Sequence, residues 1–104
     1  MDIIINTDHS LDSSDKMISY FKEEITKELK NFSDIITRVE LHITDENGPK
    51  TNLDNIKCKI EARLKGRQPL VVSGKADKVE KAISSCTSKM KSVLNTKVGK
   101  LSNR

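Results

Sequence analysis

The sequence predicts an α+β fold in the order β-α-β-β-β-α: a four-stranded mixed sheet with two helices packed on one face. Three observations predict it. Two segments space their apolar residues by three and four, as an amphipathic helix does. Others alternate apolar and polar residues, as a half-buried strand does. Each strand has only one apolar side, so both helices must cover the same sheet face and leave the other to water.

The elements follow in order. DIIINT (residues 2–7) is a short apolar run that opens the chain as a strand. LDSSDKMISYFKEEITKELKNF brings Ile18, Phe21, Ile25, Leu29 and Phe32 onto one helical stripe, with Ser13 or Ser14 as N-cap. Residues 35–45 alternate: Val39, Leu41 and Ile43 face one way; Arg38, Glu40, His42 and Thr44 face the other. ENGPKTNLD is a turn-rich loop built on Asn47-Gly48-Pro49. NIKCKIEARLKGR alternates again, setting Ile56, Cys58, Ile60, Ala62 and Leu64 against Lys57, Lys59, Glu61, Arg63 and Lys65. Gly66 breaks that strand, and QPLVVSG supplies a short fourth one. These last three strands should form an antiparallel meander, and the first strand–helix–strand unit a right-handed crossover with parallel strands. The final helix should open at Asp77 with Glu80 three residues on. Its apolar stripe is Val79, Ile83, Cys86, Met90, Val93 or Leu94, and Leu101.

The 104 residues fit one domain, read as residues 1–104, with a single modest core. No apolar run approaches the ~18 residues of a membrane span. The opening MDIIINTDHS has neither a basic n-region nor a cleavage site. Two cysteines without metal-ligand spacing fit a reducing cytoplasm. Net charge is +4 and strongly asymmetric: residues 1–34 carry −4, residues 35–74 carry +2 and residues 75–104 carry +6. A basic end on an acidic beginning favours an anionic partner such as nucleic acid.

Catalysis finds little support. No phosphate-binding loop, nucleophile elbow or metal-binding HExxH or CxxC motif is present. His42 and Cys58 are the one base–nucleophile pair on neighbouring strands, yet alternation assigns them to opposite faces. Cys58 and Cys86 read as small core residues. His9 has no evident partner. Glu40 and Glu61 read as cross-strand ion-pair partners of lysine and arginine.

The basic residues carry more information. Lys57, Lys59, Arg63 and Lys65 form a ladder with about 6.6 Å between successive rungs, which Arg38 and Lys50 extend. On the last helix Lys78, Lys81, Lys89 and Lys100 lie on the non-core arc and Lys91 on its other flank; Lys97 lies nearer the apolar stripe. Such rows suit phosphates, whose contacts give affinity without sequence readout. The charge count favours the last helix as main contact, with the strand ladder second. Tyr20 is the single aromatic left for stacking, so an RNA partner should be structured and read by shape.

This pattern resembles the family of ribosome hibernation-promoting factors and ribosome-associated inhibitors, also called protein Y and, in older usage, sigma factor modulation protein. The resemblance spans nearly the whole chain. NFSDIITRVELHITDENG resembles the family's helix end, aromatic and second strand, and CKIEARLKGRQPLVVSGKADKVEKAISSCTSKM its next two strands and helix start. The resemblance implies a fold related to double-stranded-RNA-binding domains, a non-enzymatic role and no cofactor. It implies binding to 16S-type ribosomal RNA of the small subunit, where messenger RNA and the A- and P-site tRNAs lie. It also implies inhibition of translation under starvation or in stationary phase. Lys89 and Lys100 match the family's lysines on the last helix, Lys91 and Lys97 match its basic character with a shift, and Asp77 matches the residue that opens that helix. The sequence departs from the family at Ala82-Ile83-Ser84, where Ala-Ile-Asp is frequent, and in a tail thinned to NTKVGKLSNR. It resembles the short form, so no further domain is expected after Arg104, and the free protein is expected to be a cytoplasmic monomer. Two other classes stay open on the residues: a general structured-RNA-binding module, and a protein-interaction module that modulates transcription.

Overall fold

The computed structural model describes residues 1–7, 15–45 and 56–99. Within them lie strand β1 (Asp2–Thr7), helix α1 (Asp15–Glu28), strands β2 (Ile36–Asp45), β3 (Ile56–Leu64) and β4 (Leu70–Ala76), and helix α2 (Val79–Leu94). The order is the one the sequence predicts. The strands form one sheet in the order β1-β2-β3-β4. β1 runs parallel to β2, and β2, β3 and β4 form an antiparallel meander. The parallel pair cannot be closed by a hairpin, and α1 lies in the connection between its strands.

Alternation decides what is buried. Val39, Leu41 and Ile43 of β2 and Cys58, Ile60 and Ala62 of β3 are no more than 1% exposed. Their neighbours in sequence all keep solvent access. Phe21 and Ile25 of α1 and Ala82, Ile83, Cys86, Met90 and Leu94 of α2 close over this layer. α2 packs on β3 and β4, while α1 packs on β1 and against α2. All of these side chains belong to one hydrophobic cluster. Each large aliphatic residue in it contributes about 1.5–3 kcal/mol of transfer free energy.

Local departures from the expected elements have local causes. α1 ends at Glu28 rather than running through Phe32, and a 3-10 turn, Lys30–Phe32, follows. The Phe32 N–H donates to the Leu29 carbonyl at 2.9 Å; this tighter winding stacks residues three apart and buries both side chains. At the start of β2, Ile36 opposes Leu64 while Arg38 opposes Arg63. Thr37 is therefore an extra residue, a bulge held by its hydroxyl donating to the Arg63 carbonyl at 3.2 Å. The bulge lets Ile36 and Val39, three residues apart, both point inward. Gly66 sits in the β3–β4 connection at φ +65°, a left-handed conformation that costs other residues about 1 kcal/mol or more.

The start of α2 corrects the expected cap. Lys78, in an extended conformation, occupies the N-cap position without a side-chain hydrogen bond. Asp77 lies one residue too early to cap and instead meets Lys81 at 3.5 Å, an i,i+4 pair near the positive end of the helix. After Leu94 the chain winds on as a π-helical segment, Asn95–Gly99. The Lys97 carbonyl there accepts from Arg67 Nη1 at 3.5 Å, tying the helix end to the β3–β4 turn. Ser13, Ser14 and Leu101, and the loop at residues 46–55, lie outside the described residues.

Ile60 and Val71 test this division of the sheet. Ile60 is fully buried and Val71, on the open face, is 55% exposed. Ile60→Ala should cost about 2–5 kcal/mol, and Val71→Ala under about 1 kcal/mol. Urea denaturation of the two variants measures both.

Candidate nucleic-acid interface

The strand registers map the open face row by row. One row reads Asp2, Arg38, Arg63; the next Ile4, Glu40, Glu61, Val71; the third Asn6, His42, Lys59, Ser73; the last Thr44, Lys57, Lys75. Charge on this face is therefore zoned. Glu40 stands directly opposite Glu61, which corrects the expectation of cross-strand ion pairs. Each glutamate reaches along its own strand to the arginine two residues away. Arg38 Nη1 donates to Glu40 Oε2 at 3.2 Å, and Arg63 Nε lies 3.8 Å from Glu61 Oε2. An i,i+2 pair shares one face of a strand, so long side chains can bridge it. Arg38 and Arg63 thus sit in a nearly neutral half of the sheet.

The other half is basic. Lys57 and Lys59 line a shallow depression of about 300 Å³ together with His42 and Thr44, and no carboxylate lines it. Lys75 of β4 stands opposite Lys57 across the pair of strands. Glu40, at the border, lies 3.8 Å from His42 Nε2. The lysines are about 6.6 Å apart along a strand and about 4.8 Å apart across strands. Lys75 was missed because Gly74 looked like the end of the fourth strand. The alternation of Val71, Ser73 and Lys75 against Leu70, Val72 and Ala76 continues through that glycine and would have revealed it.

The other expected contact residues are spread more widely. Lys65 lies beyond the end of β3, in the turn. Lys81 pairs with Asp77, and Lys91 with Glu28 of α1 at 3.6 Å. Lys89 leans over the sheet edge and donates to the Ser73 carbonyl of β4 at 2.8 Å, which blunts an otherwise open edge strand. Lys78 and Lys97 are exposed at opposite ends of the second helical segment. Lys50, Lys100 and His9 lie outside the described residues. Exposed ion pairs are worth about 0–1 kcal/mol, so these tethers compete only weakly with a polyanion.

The cysteines are packing residues. Both are buried, and Cys86 Sγ donates to the Cys58 carbonyl at 3.3 Å. A side-chain hydrogen bond in which the Cys58 thiol keeps its proton towards Cys86, and then burial, push the Cys58 thiol well above its ordinary range. His42 lies across the sheet, opposite Lys59, so no Cys–His dyad forms. Among the described residues no group of His, Cys, Asp and Glu could hold a metal ion, and no helix is long and apolar enough to cross a membrane.

One shielded and one open, charge-zoned sheet face define a small two-layer α+β domain. The chain belongs to the family described as sigma 54 modulation protein / S30EA ribosomal protein, whose model matches residues 3–102. Solved structures share the fold, among them two that match nearly the whole of this chain. The N-terminal domain of Thermus thermophilus Protein Y superposes with a TM-score of 0.72 at 14% identity, covering 92% of this chain and 98% of that one. A ribosomal subunit interface protein from Coxiella burnetii gives a TM-score of 0.73, also at 14% identity, covering 92% and 96%. Comparison with curated proteins gave no match.

If both thiols are core residues, neither Cys58 nor Cys86 should react with a soluble aromatic disulfide in the native protein over minutes. Both should react at once in denaturant. Absorbance at neutral pH with and without urea measures this, and a fast native reaction at either thiol would contradict the packing role.

Proposed function

We propose that this chain is a non-enzymatic, ribosome-associated translation inhibitor of the hibernation type. It engages ribosomal RNA of the small subunit in the channel that messenger RNA and tRNA otherwise fill, in the cytoplasm of starved or stationary-phase cells. Membership of a family described as a ribosomal protein supports the ribosome as partner. The name of the Coxiella burnetii relative, a ribosomal subunit interface protein, agrees with it.

The observation that carries the RNA contact is the basic half of the open sheet. Lys57 and Lys59 of β3 line a rigid depression with His42 and Thr44 beside them on β2 and no carboxylate in its lining, and Lys75 of β4 stands on the other side of Lys57. The sheet is fixed by its core, so only the lysine side chains, and not the backbone that carries them, need ordering on binding. Lys65 in the β3–β4 turn and Lys78, Lys81, Lys89, Lys91 and Lys97 on the helical side serve as secondary phosphate contacts, with Lys100 counted among them. Arg38 and Arg63 contribute shape more than charge, because Glu40 and Glu61 hold them. The absence of a stacking platform on the open face among the described residues favours a folded RNA over a single strand. The domain acts as a monomer by occupying space, which requires no cofactor and no bond making.

Three phosphate contacts cost on the order of 40-fold in affinity between about 50 and 200 mM salt. The protein should therefore travel with small subunits in a low-salt sucrose gradient and shift to the top as salt rises. Protein that stays wholly at the top at low salt would contradict ribosome binding. A generic RNA duplex that competes as well as ribosomes do would instead indicate a general RNA-binding module.

A further inference from the structure

The helical side of the molecule carries a notch of different character. Between α1 and α2 lies a cavity of about 250 Å³, with Tyr20, Glu24 and Glu28 on one wall and Glu80, Ser84 and Ser88 on the other. Its floor is apolar, formed by Phe21, Ile25 and Ile83. No lysine or arginine lines it, although the chain as a whole is basic. Glu28 is neutralised by Lys91 at 3.6 Å. Glu24 and Glu80, on opposite walls, have no cationic partner among the described residues. Tyr20 is 56% exposed at the mouth, its ring fixed edge-on to Phe21 at a centroid distance of 5.2 Å. An adjoining depression shares Tyr20, Phe21 and Glu80, and there Lys16 restores a positive charge. Glu24 and Glu80 thus face each other across the notch with no cation between them among the described residues, and Lys16 stands only on the outer side of Glu80.

From this geometry we infer that the notch is a docking site for a basic protein segment, one that inserts an arginine side chain. The volume suits one long side chain. Its aliphatic stem lies against Tyr20, whose ring also attracts the guanidinium. The planar fork then reaches the Glu24 and Glu80 carboxylates from between the walls. Phosphate is disfavoured here, because two open carboxylates meet it. The molecule accordingly offers its sheet to an anionic partner and its helices to a cationic one. This inference stands independently of the RNA contact, since it uses other residues and the opposite charge.

The test is a titration of the ¹⁵N-labelled full chain with the capped peptide Ac-GRLGRLG-NH2, alongside its counterpart with both arginines replaced by glutamine. The expected result is amide shifts centred on Tyr20, Glu24, Glu80 and Ser84 with the arginine peptide and none with the glutamine peptide. Glu24→Gln combined with Glu80→Gln should weaken binding roughly fivefold, at an unchanged thermal midpoint. Glu23→Gln, exposed on α1 but outside the notch, should leave binding as it is. Equal affinity of the double variant, equal binding of the glutamine peptide, or shifts spread over all surface carboxylates would each overturn the proposal. So would line broadening at Tyr20 that grows with protein concentration in the absence of peptide, which would make the occupant a second copy of the chain.

Discussion

Everything in this molecule depends on covering a four-stranded sheet from one side only. Strands with a period of two separate their side chains into two sets, and only one set is apolar. Val39, Leu41, Ile43, Cys58 and Ile60 drop under the helices and lose contact with water. The intervening residues are then exposed by construction. A chain of 104 residues can fill one such core. The second sheet face is left uncovered, and a rigid, addressable surface results without further stabilisation.

That exposed face is shaped by register as much as by composition. Pairing Glu40 with Glu61 gathers the two acids into one row, where each draws in an arginine of its own strand. Pairing Lys59 with His42 and Lys57 with Lys75 gathers cations at the other end. A one-residue slip would send all of these charges into the core, so the apolar pattern that fixes the register also fixes the charge map. The helices divide their surfaces differently. Lys81, Lys89 and Lys91 each meet a neighbour, whereas the acids between α1 and α2 are only partly matched.

Element order, parallel and antiparallel pairing and the burial of both cysteines were legible in the sequence, because each follows from periodicity. Thr37 was not, since the paired Ile35-Ile36 fits either face until a bulge selects one. The Asp77 cap failed by a single residue, as cap positions depend on backbone angles that composition does not carry. The ladder on β3 was visible, but not how Glu61 and Glu40 neutralise half of it, because register across strands is not written within either strand. Charge totals pointed to α2 as the main contact; they count lysines without showing which ones lean on Asp77, Glu28 or Ser73. The match to the family agrees with the resemblance carried by the second, third and fourth strands.

The most direct test compares the salt dependence of ribosome binding for two charge-reversed forms. One carries Lys57→Glu and Lys59→Glu on the open sheet; the other carries Lys81→Glu and Lys91→Glu on α2. If the basic half of the sheet is the principal phosphate contact, the sheet variant should lose most of its binding. Its slope of log affinity against log salt should shrink by roughly two relative to the unaltered chain, while the helix variant keeps most of its slope. Loss of binding in the helix variant with an unchanged sheet variant would contradict the account and move the contact to α2.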